Sequence, residues 1–265
     1  MNKKLLLLTL LVLFTGCGKN IPTLQERKTT AFSLSQEQNL QEKIYQTTNF
    51  NLFSYQTHLR QCKNIKVFIE GDGLAWITRS IVSKDPTPLN PTGLKLMLKD
   101  SSKCKLYLAR PCQYIDSSMC EKKYWTSHRF NIKVIESYLQ VLDEIKRENQ
   151  NKSFTLVGYS GGGAIAAILS AKRKDIQNFI TIVGNLDTHK WTAIHSISPL
   201  NGSLNPADFT KDLQNLPQVH YVGKNDKIIP LEIFQSYKSK FTNDSNIKLI
   251  MIDATHIKGV LEFKY

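Results

Sequence analysis

The chain has 265 residues, of which 35 are Lys or Arg and 22 are Asp or Glu, so its formal net charge is +13. The basic residues are scattered, without a dense run or an interleaved aromatic pattern, so the composition gives little support to nucleic-acid binding. The surplus of positive charge suits an anionic membrane surface or an acidic substrate, although a lysine-rich solvated surface is the simpler explanation.

The first residues have the pattern of an export signal. Two lysines precede a run over residues 5–14 that is apolar apart from one threonine. This run is shorter than the roughly 18–20 residues that span a bilayer. It therefore predicts a signal peptide over residues 1–16 and not a transmembrane anchor.

Residues 14–17 resemble the lipobox of bacterial lipoproteins, in which the cysteine is diacylated, although Phe14 stands where leucine is usual. Cys17 is therefore predicted to be lipidated and followed by a polar tether over residues 17–30. Gly18 is not the aspartate that retains many lipoproteins at the inner membrane. We expect an anchored protein of the bacterial envelope, facing the periplasm or exterior, with the outer membrane mildly preferred. The alternative is an ordinary cleaved signal peptide that leaves Cys17 as a free thiol.

Four further cysteines indicate two disulfides, for which three connectivities exist. They are Cys62, Cys104, Cys112 and Cys120. Cys62 and Cys104 each precede an apolar run, and if those runs are neighbouring parallel strands, both cysteines lie at one sheet edge. This favours the pairs Cys62–Cys104 and Cys112–Cys120. Metal binding is disfavoured because no C-x-x-C or interleaved histidine spacing is present, so no metal is expected.

Residues 31–265 predict a single α/β domain. Strand-like runs alternate with helix-like ones, which predicts a mostly parallel sheet with helices on both faces. The runs are nearly continuous apolar stretches, as expected of strands covered on both sides. They are residues 66–69, 106–109, 154–157, 179–183, 219–222 and 247–252, with a further strand near 50–55. Helical spacing predicts a helix over 128–149, and the long connection 184–217 predicts a small cap segment.

The segment Gly158–Gly162 fits the pattern G-x-S-x-G and lies between a strand-like and a helix-like run. A serine in such a sharp strand-to-helix turn is exposed at the carboxyl edge of a sheet. The glycines on either side permit close approach of the chain segments. Ser160 is therefore the candidate nucleophile.

A serine hydroxyl needs a base, and the base needs an orienting acid. In this type of fold the chain order is serine, acid, histidine. Asp226 follows the strand at 219–222, and His256 follows the last strand. We predict these two as acid and base, with Asp187 as the competing acid.

Two backbone amides are expected to form the oxyanion hole. Gly161, directly after the serine, supplies the first. The second is expected from the loop 70–73, which resembles the H-G-x loop of esterases with glutamate in place of histidine. Asp72 is the favoured donor and Gly73 the second choice.

These features resemble the α/β-hydrolase superfamily over roughly residues 50–265, and more narrowly a poorly characterised group of bacterial α/β-hydrolase lipoproteins. The segments that carry the resemblance are 69–76, 109–114, 124–130, 157–164 and 184–187. The resemblance implies an α/β-hydrolase fold and a Ser-His-Asp hydrolase, and it supports Ser160, Asp226 and His256. It implies no particular substrate.

Four residues of those segments are candidates for the substrate pocket, unless they support the loop closed by Cys112 and Cys120. They are Arg110, Gln113, Trp125 and Arg129. The expected activity is hydrolysis of a small-molecule or lipid ester without a cofactor. A peptidase or acyltransferase using the same three residues remains open, as does a non-catalytic binding lipoprotein on the same fold.

Overall fold

The computed structural model describes residues 21–115 and 117–263. The predicted signal peptide and Cys17 lie outside these residues. The strands are β1 (Gln41–Tyr45), β2 (Leu52–Gln56), β3 (Asn64–Ile69), β4 (Lys105–Leu108), β5 (Ser153–Tyr159), β6 (Ile176–Ile182), β7 (Gln218–Gly223) and β8 (Ile247–Ile252). The helices are α1 (Leu24–Gln36), α2 (Thr92–Lys99), α3 (Ile132–Asn149), α4 (Gly161–Lys172), α5 (Thr188–Ile194), α6 (Thr210–Leu213) and α7 (Leu231–Lys238).

The eight described strands form one sheet in the order β1-β2-β4-β3-β5-β6-β7-β8. Strands β3 to β8 are parallel to one another, whereas β1 and β2 are antiparallel additions at one edge, where β2 pairs with β4. This confirms the predicted α/β class and the mostly parallel sheet. The carboxyl ends of the parallel strands share one edge, which is where such sheets bind their ligands.

Helices cover both faces of the sheet, as predicted. Side chains of α3, α4, α6 and α7 pack against one face of the sheet and form the larger apolar core with it. Side chains of α1 and α2 pack against the other face, together with Val260 near the end of the chain. Strand β5 contributes to both cores because alternate side chains point to opposite faces, with Leu156 on one side and Val157 on the other.

Helix α1 extends into the range predicted as a tether. It begins at Leu24, where Thr23 and Glu26 form a capping box. Arg27 is buried and forms a salt bridge of 2.9 Å with Asp85. The folded part therefore begins earlier than residue 31, because a polar helix packs on the domain through a buried arginine.

Helix α3 confirms the helix predicted over 128–149, although it starts four residues later. The Asn131 side chain accepts a hydrogen bond from the Lys133 amide at 3.0 Å and caps this end. None of the helices in the described ranges has the length and apolar composition that crossing a bilayer requires.

Both predicted disulfides are present. Cys62 pairs with Cys104, with Cα atoms 6.0 Å apart, and these residues precede the parallel neighbours β3 and β4. Cys112 pairs with Cys120, with Cα atoms 5.5 Å apart, in the loop after β4. The first bond therefore lies at the amino edge of the sheet and the second at the carboxyl edge.

The connection predicted as a cap, residues 184–217, runs from the end of β6 to the start of β7. It contains α5, a short 3-10 turn at Pro206–Asp208 and α6. Leu213 of α6 is fully buried in the larger core, so this part of the connection belongs to the main body. Residues 191–200 lie at the carboxyl edge beside the cavity described below.

Candidate active site

Ser160 occupies the turn between β5 and α4 with φ +51° and ψ −120°. This left-handed conformation is strained for a residue with a side chain and is typical of a functional turn. A Cβ at Gly158 or at Gly162 would come within 3.0 Å of backbone atoms, those of Gly162 and Ile69 respectively. Both glycines therefore permit the close approach that their sequence pattern predicted.

The side chains of Ser160, His256 and Asp226 form one chain of hydrogen bonds. His256 Nε2 lies 2.8 Å from Ser160 Oγ, and His256 Nδ1 lies 2.8 Å from Asp226 Oδ2. A carboxylate only accepts hydrogen bonds, so Nδ1 carries the proton and Nε2 is free to accept the serine proton. The turn after β5 and the loops after β7 and β8 thus bring together Ser160, Asp226 and His256, the three residues that the chain order predicted.

Asp226 is rigidly held. Its Oδ1 accepts hydrogen bonds from the amides of Ile228 and Ile229 at 2.8 and 2.9 Å, and its side chain is fully buried. On the other side of His256, the Tyr159 hydroxyl donates to the His256 carbonyl at 2.8 Å. The imidazole is therefore fixed through its side chain and its backbone.

The competing acid, Asp187, is used elsewhere. Its carboxylate caps α5 by accepting from the amides of His189 and Lys190, and it accepts from the Ser236 hydroxyl at 2.7 Å. Burial alone would raise the pKa of Asp187, but the Ser236 hydrogen bond, the Lys190 amide and the charge of Lys240 lower it. None of its described hydrogen bonds involves His256.

The helix start and the loop that carry the two predicted oxyanion amides both lie beside the serine. Gly161 is the first residue of α4, so its N–H has no partner within the helix. A Cβ on Gly71 would lie 3.3 Å from Ser160 Cβ, which places the loop 70–73 against the nucleophile. Gly73 adopts φ +63°, so it serves the turn of this loop.

Gln113 holds the peptide that joins Gly71 to Asp72. Its Nε2 donates to the Gly71 carbonyl at 3.0 Å, and its Oε1 accepts from the Arg110 amide at 3.0 Å. In a trans peptide the N–H points away from the C=O. With the Gly71 carbonyl held by Gln113, the Asp72 N–H is directed to the opposite side of the peptide.

Glu70, the first residue of this loop, ties it to α2. Its carboxylate accepts from the amides of Gly71 and Gly93 at 2.9 and 3.0 Å and from the Tyr107 hydroxyl at 3.1 Å. Burial raises the pKa of Glu70, and these donors oppose the shift without cancelling it.

Asp72 carries a charge beside the oxyanion loop, and two arginines neutralise it. Arg110 Nη1 and Arg129 Nη1 donate to its two carboxylate oxygens at 2.8 and 2.7 Å. Burial alone would raise the pKa of Asp72, but the charges and hydrogen bonds of Arg129 and Arg110 hold it below its ordinary value. A Cβ on Gly161 would meet this carboxylate, so the cluster lies directly against the start of α4. The sequence singled out Asp72 only for its amide and missed this role of its side chain.

Of the four residues predicted for the substrate pocket, Arg129 lines the cavity at Ser160. Arg110, Gln113 and Trp125 do not line it; they are buried and support the surrounding loops, which agrees with the alternative expected from the sequence. Trp125 donates from its indole nitrogen to the Ser83 carbonyl at 3.2 Å. Arg110 and Gln113 can be buried because carboxylate and backbone groups replace the hydrogen bonds that these side chains would otherwise make with water.

A cavity of about 1040 Å³ opens at this edge, with Ser160 and His256 in its wall. The wall is mainly apolar, and much of it comes from residues 74–76 and 88–90, which the sequence did not assign to the site, and from residues 195–200 of the predicted cap. Trp76 and the prolines in the long loop after β3 were the signal that could have indicated this wall. No group of three or more His, Cys, Asp or Glu side chains in the described ranges is arranged to hold a metal ion.

The fold and the nucleophile turn define the α/β-hydrolase class, as the sequence predicted. The family model for serine hydrolases (FSH1) matches residues 85–257, which is most of the chain. The chain belongs to this serine hydrolase family. A search among curated proteins found no match.

Solved structures share the fold at low sequence identity. An esterase from Pyrococcus furiosus, Pf2001, is 15% identical with a TM-score of 0.61, covering 86% of this chain and 89% of that one. Est1E from Butyrivibrio proteoclasticus is 15% identical with a TM-score of 0.57, covering 83% and 93%. A serine hydrolase homologue from Coxiella burnetii is 13% identical with a TM-score of 0.57, covering 84% and 92%. At these identities the likeness concerns the fold.

Proposed function

We propose that this serine hydrolase cleaves carboxylic esters through an acyl-enzyme formed on Ser160. The observation that carries the proposal is the position of His256, which lies 2.8 Å from both the Ser160 hydroxyl and the Asp226 carboxylate. This geometry is what a general base needs in order to take the serine proton. The mainly apolar cavity beside Ser160 suits the acyl chain of an ester.

The reaction proceeds in two balanced halves. His256 Nε2 takes the hydroxyl proton as Ser160 Oγ bonds to the carbonyl carbon. The tetrahedral oxyanion then collapses, the bond to the alcohol oxygen breaks, and His256 returns the proton to the departing alcohol. In the second half, His256 takes a proton from water, the hydroxide attacks the acyl-enzyme, and the carboxylic acid leaves as Ser160 regains its proton. None of these steps requires a cofactor.

The amides of Gly161 and Asp72 are the donors for the oxyanion in this scheme. Losing a comparable donor costs about 3 kcal/mol of transition-state stabilisation. Asp226 stabilises the imidazolium that forms, and its two backbone donors keep its charge in place.

The place of action is proposed to be a membrane surface of the bacterial envelope, with Cys17 diacylated as the anchor. The support is the short apolar run and the lipobox-like residues that precede the described part of the chain. Mass spectrometry of the membrane fraction should find a diacylated Cys17. An unmodified soluble chain would contradict this part of the proposal.

Labelling with a fluorophosphonate probe tests the chemistry. The wild type should label, whereas Ser160→Ala and His256→Ala should not. Ser196→Ala and His195→Ala are matched controls, because both residues line the same cavity, and they should label as the wild type does. A folded wild type that fails to label would instead favour a non-catalytic binding protein. Turnover of esters against amides, with and without added alcohol acceptor, separates esterase from peptidase and acyltransferase.

A further inference from the structure

The mouth of the cavity is surrounded by exposed apolar side chains, which we call the apolar rim. Five of them line the cavity, namely Trp76, Leu89, Ile197, Ile228 and Ile257. Two more, Ile77 and Ile81, lie beside Trp76, where the Ile77 amide donates to the Ile81 carbonyl at 2.8 Å. The rim side chains are 40% to 62% exposed. A concentration of large apolar groups around one opening is typical of a surface that contacts an apolar partner.

Positive charge accompanies the apolar rim. Arg79 lines the cavity, and Lys227 and Lys258 are exposed next to Ile228 and Ile257 in the sequence. The two acids in the cavity wall are already engaged, Glu70 by backbone amides and Asp72 by two arginines. Apolar side chains bordered by cations fit the interface of a membrane that contains anionic lipids.

Helix α1 shows at which side of the domain the described part of the chain begins. Near the amino end of α1, Arg27 donates to the Thr87 carbonyl, while just past its carboxyl end Gln38 accepts from Lys105 Nζ at 2.9 Å. Lys105 is the first residue of β4, so it marks the amino edge of the sheet. Helix α1 therefore runs against the strands, and its amino end lies at the carboxyl edge, beside the active site.

This direction places Ile21, the first described residue, on the same side as the mouth. The segment 86–88, whose Thr87 carbonyl accepts the Arg27 hydrogen bond, lies against the loop 70–73. A Cβ on Gly73 would meet the Pro86 carbonyl and come 3.2 Å from the Pro88 nitrogen. Cys17 is four residues before Ile21, the first described residue. Even a fully extended chain spans at most about 14 Å over that distance.

We propose that the apolar rim docks on an anionic lipid surface, so that the cavity opens against the bilayer and receives its ester from the membrane. The inference rests on the proposed function and specifies its substrate as a membrane-borne ester. The rim enters the interface, the neighbouring lysines and arginine contact anionic head groups, and the described chain begins on the same side of the domain.

Quenching of Trp76 fluorescence tests this orientation. The full chain is bound to vesicles of phosphatidylglycerol and phosphatidylcholine with brominated acyl chains, and only the vesicle-bound fraction is measured after flotation. An anchor alone would bind the protein without bringing Trp76 to the acyl chains. We expect strong quenching that Trp76→Phe removes, since Trp125 is buried and only Trp191 remains near the cavity.

The double variant Ile77→Ser/Ile81→Ser should lower the quenching at least about threefold, because two apolar side chains no longer enter the interface. Leu249→Ser/Met251→Ser is the matched control, since these residues are 39% and 37% exposed on β8, and it should quench as the wild type does. Equal quenching in both double variants, or no quenching in the wild type, overturns the inference. Sedimentation that shows a dimer lost only in the rim variant, without quenching, assigns the rim to a second copy and likewise overturns it.

Turnover separates this inference from the proposed function. On a soluble short-chain ester, the rim double variant should match the wild type, because neither isoleucine lines the cavity. On a long-chain ester embedded in the same vesicles, its turnover should fall about tenfold. A wild type without soluble turnover refutes the esterase proposal, while the quenching result still decides the docking. If the wild type and the rim double variant have the same ratio of vesicle turnover to soluble turnover, the docking inference is overturned and the esterase proposal stands.

Discussion

Gln113 Nε2 lies 3.0 Å from the carbonyl oxygen of Gly71, in the loop that passes Ser160. This single bond fixes the peptide whose nitrogen belongs to Asp72, the proposed second oxyanion donor. Gln113 is fully buried and does not contact the cavity. In the proposed mechanism it is therefore a positioning residue for the oxyanion hole.

Gln113→Met should lower kcat about 10- to 100-fold with KM within about twofold, because the misplaced amide matters only in the transition state. Steady-state kinetics on one soluble ester measure this split, and a thermal unfolding scan controls for misfolding. A rise in KM at unchanged kcat would assign Gln113 to substrate binding instead.

Asp226→Asn should lower kcat by about 10⁴, because the amide cannot hold His256 in the tautomer that accepts the serine proton. Asp187→Asn should leave kcat nearly unchanged and cost about 1 kcal/mol of stability through the weakened cap of α5. Parallel kinetics and urea unfolding of both variants decide between the acids. The reverse ranking would move the acid to the loop after β6.

Arg129→Met should destabilise the fold by about 3 kcal/mol, because it leaves the Asp72 carboxylate with one of its two compensating charges. The same carboxylate then repels the oxyanion beside Gly161, so kcat should fall as well. In Asp72→Asn/Arg129→Met the carboxylate charge is absent, so the loss of kcat should shrink, whereas Arg110 is left without its carboxylate and the loss of stability should remain. A double-mutant cycle in unfolding free energy and kcat measures this coupling, and additive effects would show that the charges act independently.

The two disulfides should separate stability from activity. Cys62→Ser/Cys104→Ser opens a span of 42 residues and should cost about 4 kcal/mol, against about 2.5 kcal/mol for Cys112→Ser/Cys120→Ser, which opens a span of 8. The second pair should nevertheless reduce kcat more, since it closes the loop beside Arg110 and Gln113. Unfolding curves and kinetics of both double variants test this opposite order of effects. If the same double variant lost more stability and more kcat, the prediction would be refuted.

The buried His220 should make stability fall in mild acid. Burial lowers the pKa of His220 to about 3, while its Nε2 donates to Gln218 and its Nδ1 accepts from Thr181. The unfolded chain binds this proton below about pH 6.5, so the stabilisation present above that pH is lost as the pH falls toward 3.

The slope should reach about 1.4 kcal/mol per pH unit. Urea unfolding between pH 7 and pH 4.5 measures it, and the slope should flatten in His220→Gln. The exposed His58 provides the control, because His58→Gln should keep the wild-type slope. An unchanged slope in His220→Gln would show that other groups govern the acid response.

The parallel strands were predictable because each is a nearly continuous apolar run covered on both faces. Strand β1 was not predicted, since its sequence Gln41–Tyr45 is mostly polar and exposed. It lies at the sheet edge, where charged side chains are tolerated because one side of the strand faces solvent. Helix α1 was missed for a related reason, since the side chains that it buries are Arg27, Ala31 and Ser35, which do not form a strongly apolar stripe.

The sequence alone determined the turn at Ser160, because a serine between closely spaced glycines after a strand has few other conformations. It also determined the order of the candidate residues along the chain. The tertiary structure decided which acid meets His256. Strands β7 and β8 are neighbours, with Gly223 opposite Ile252, so the loops that follow them place Asp226 beside His256. Asp187 follows β6 and caps α5 instead. A hydrogen bond requires contact within about 3 Å, and the distance along a chain does not specify such contacts.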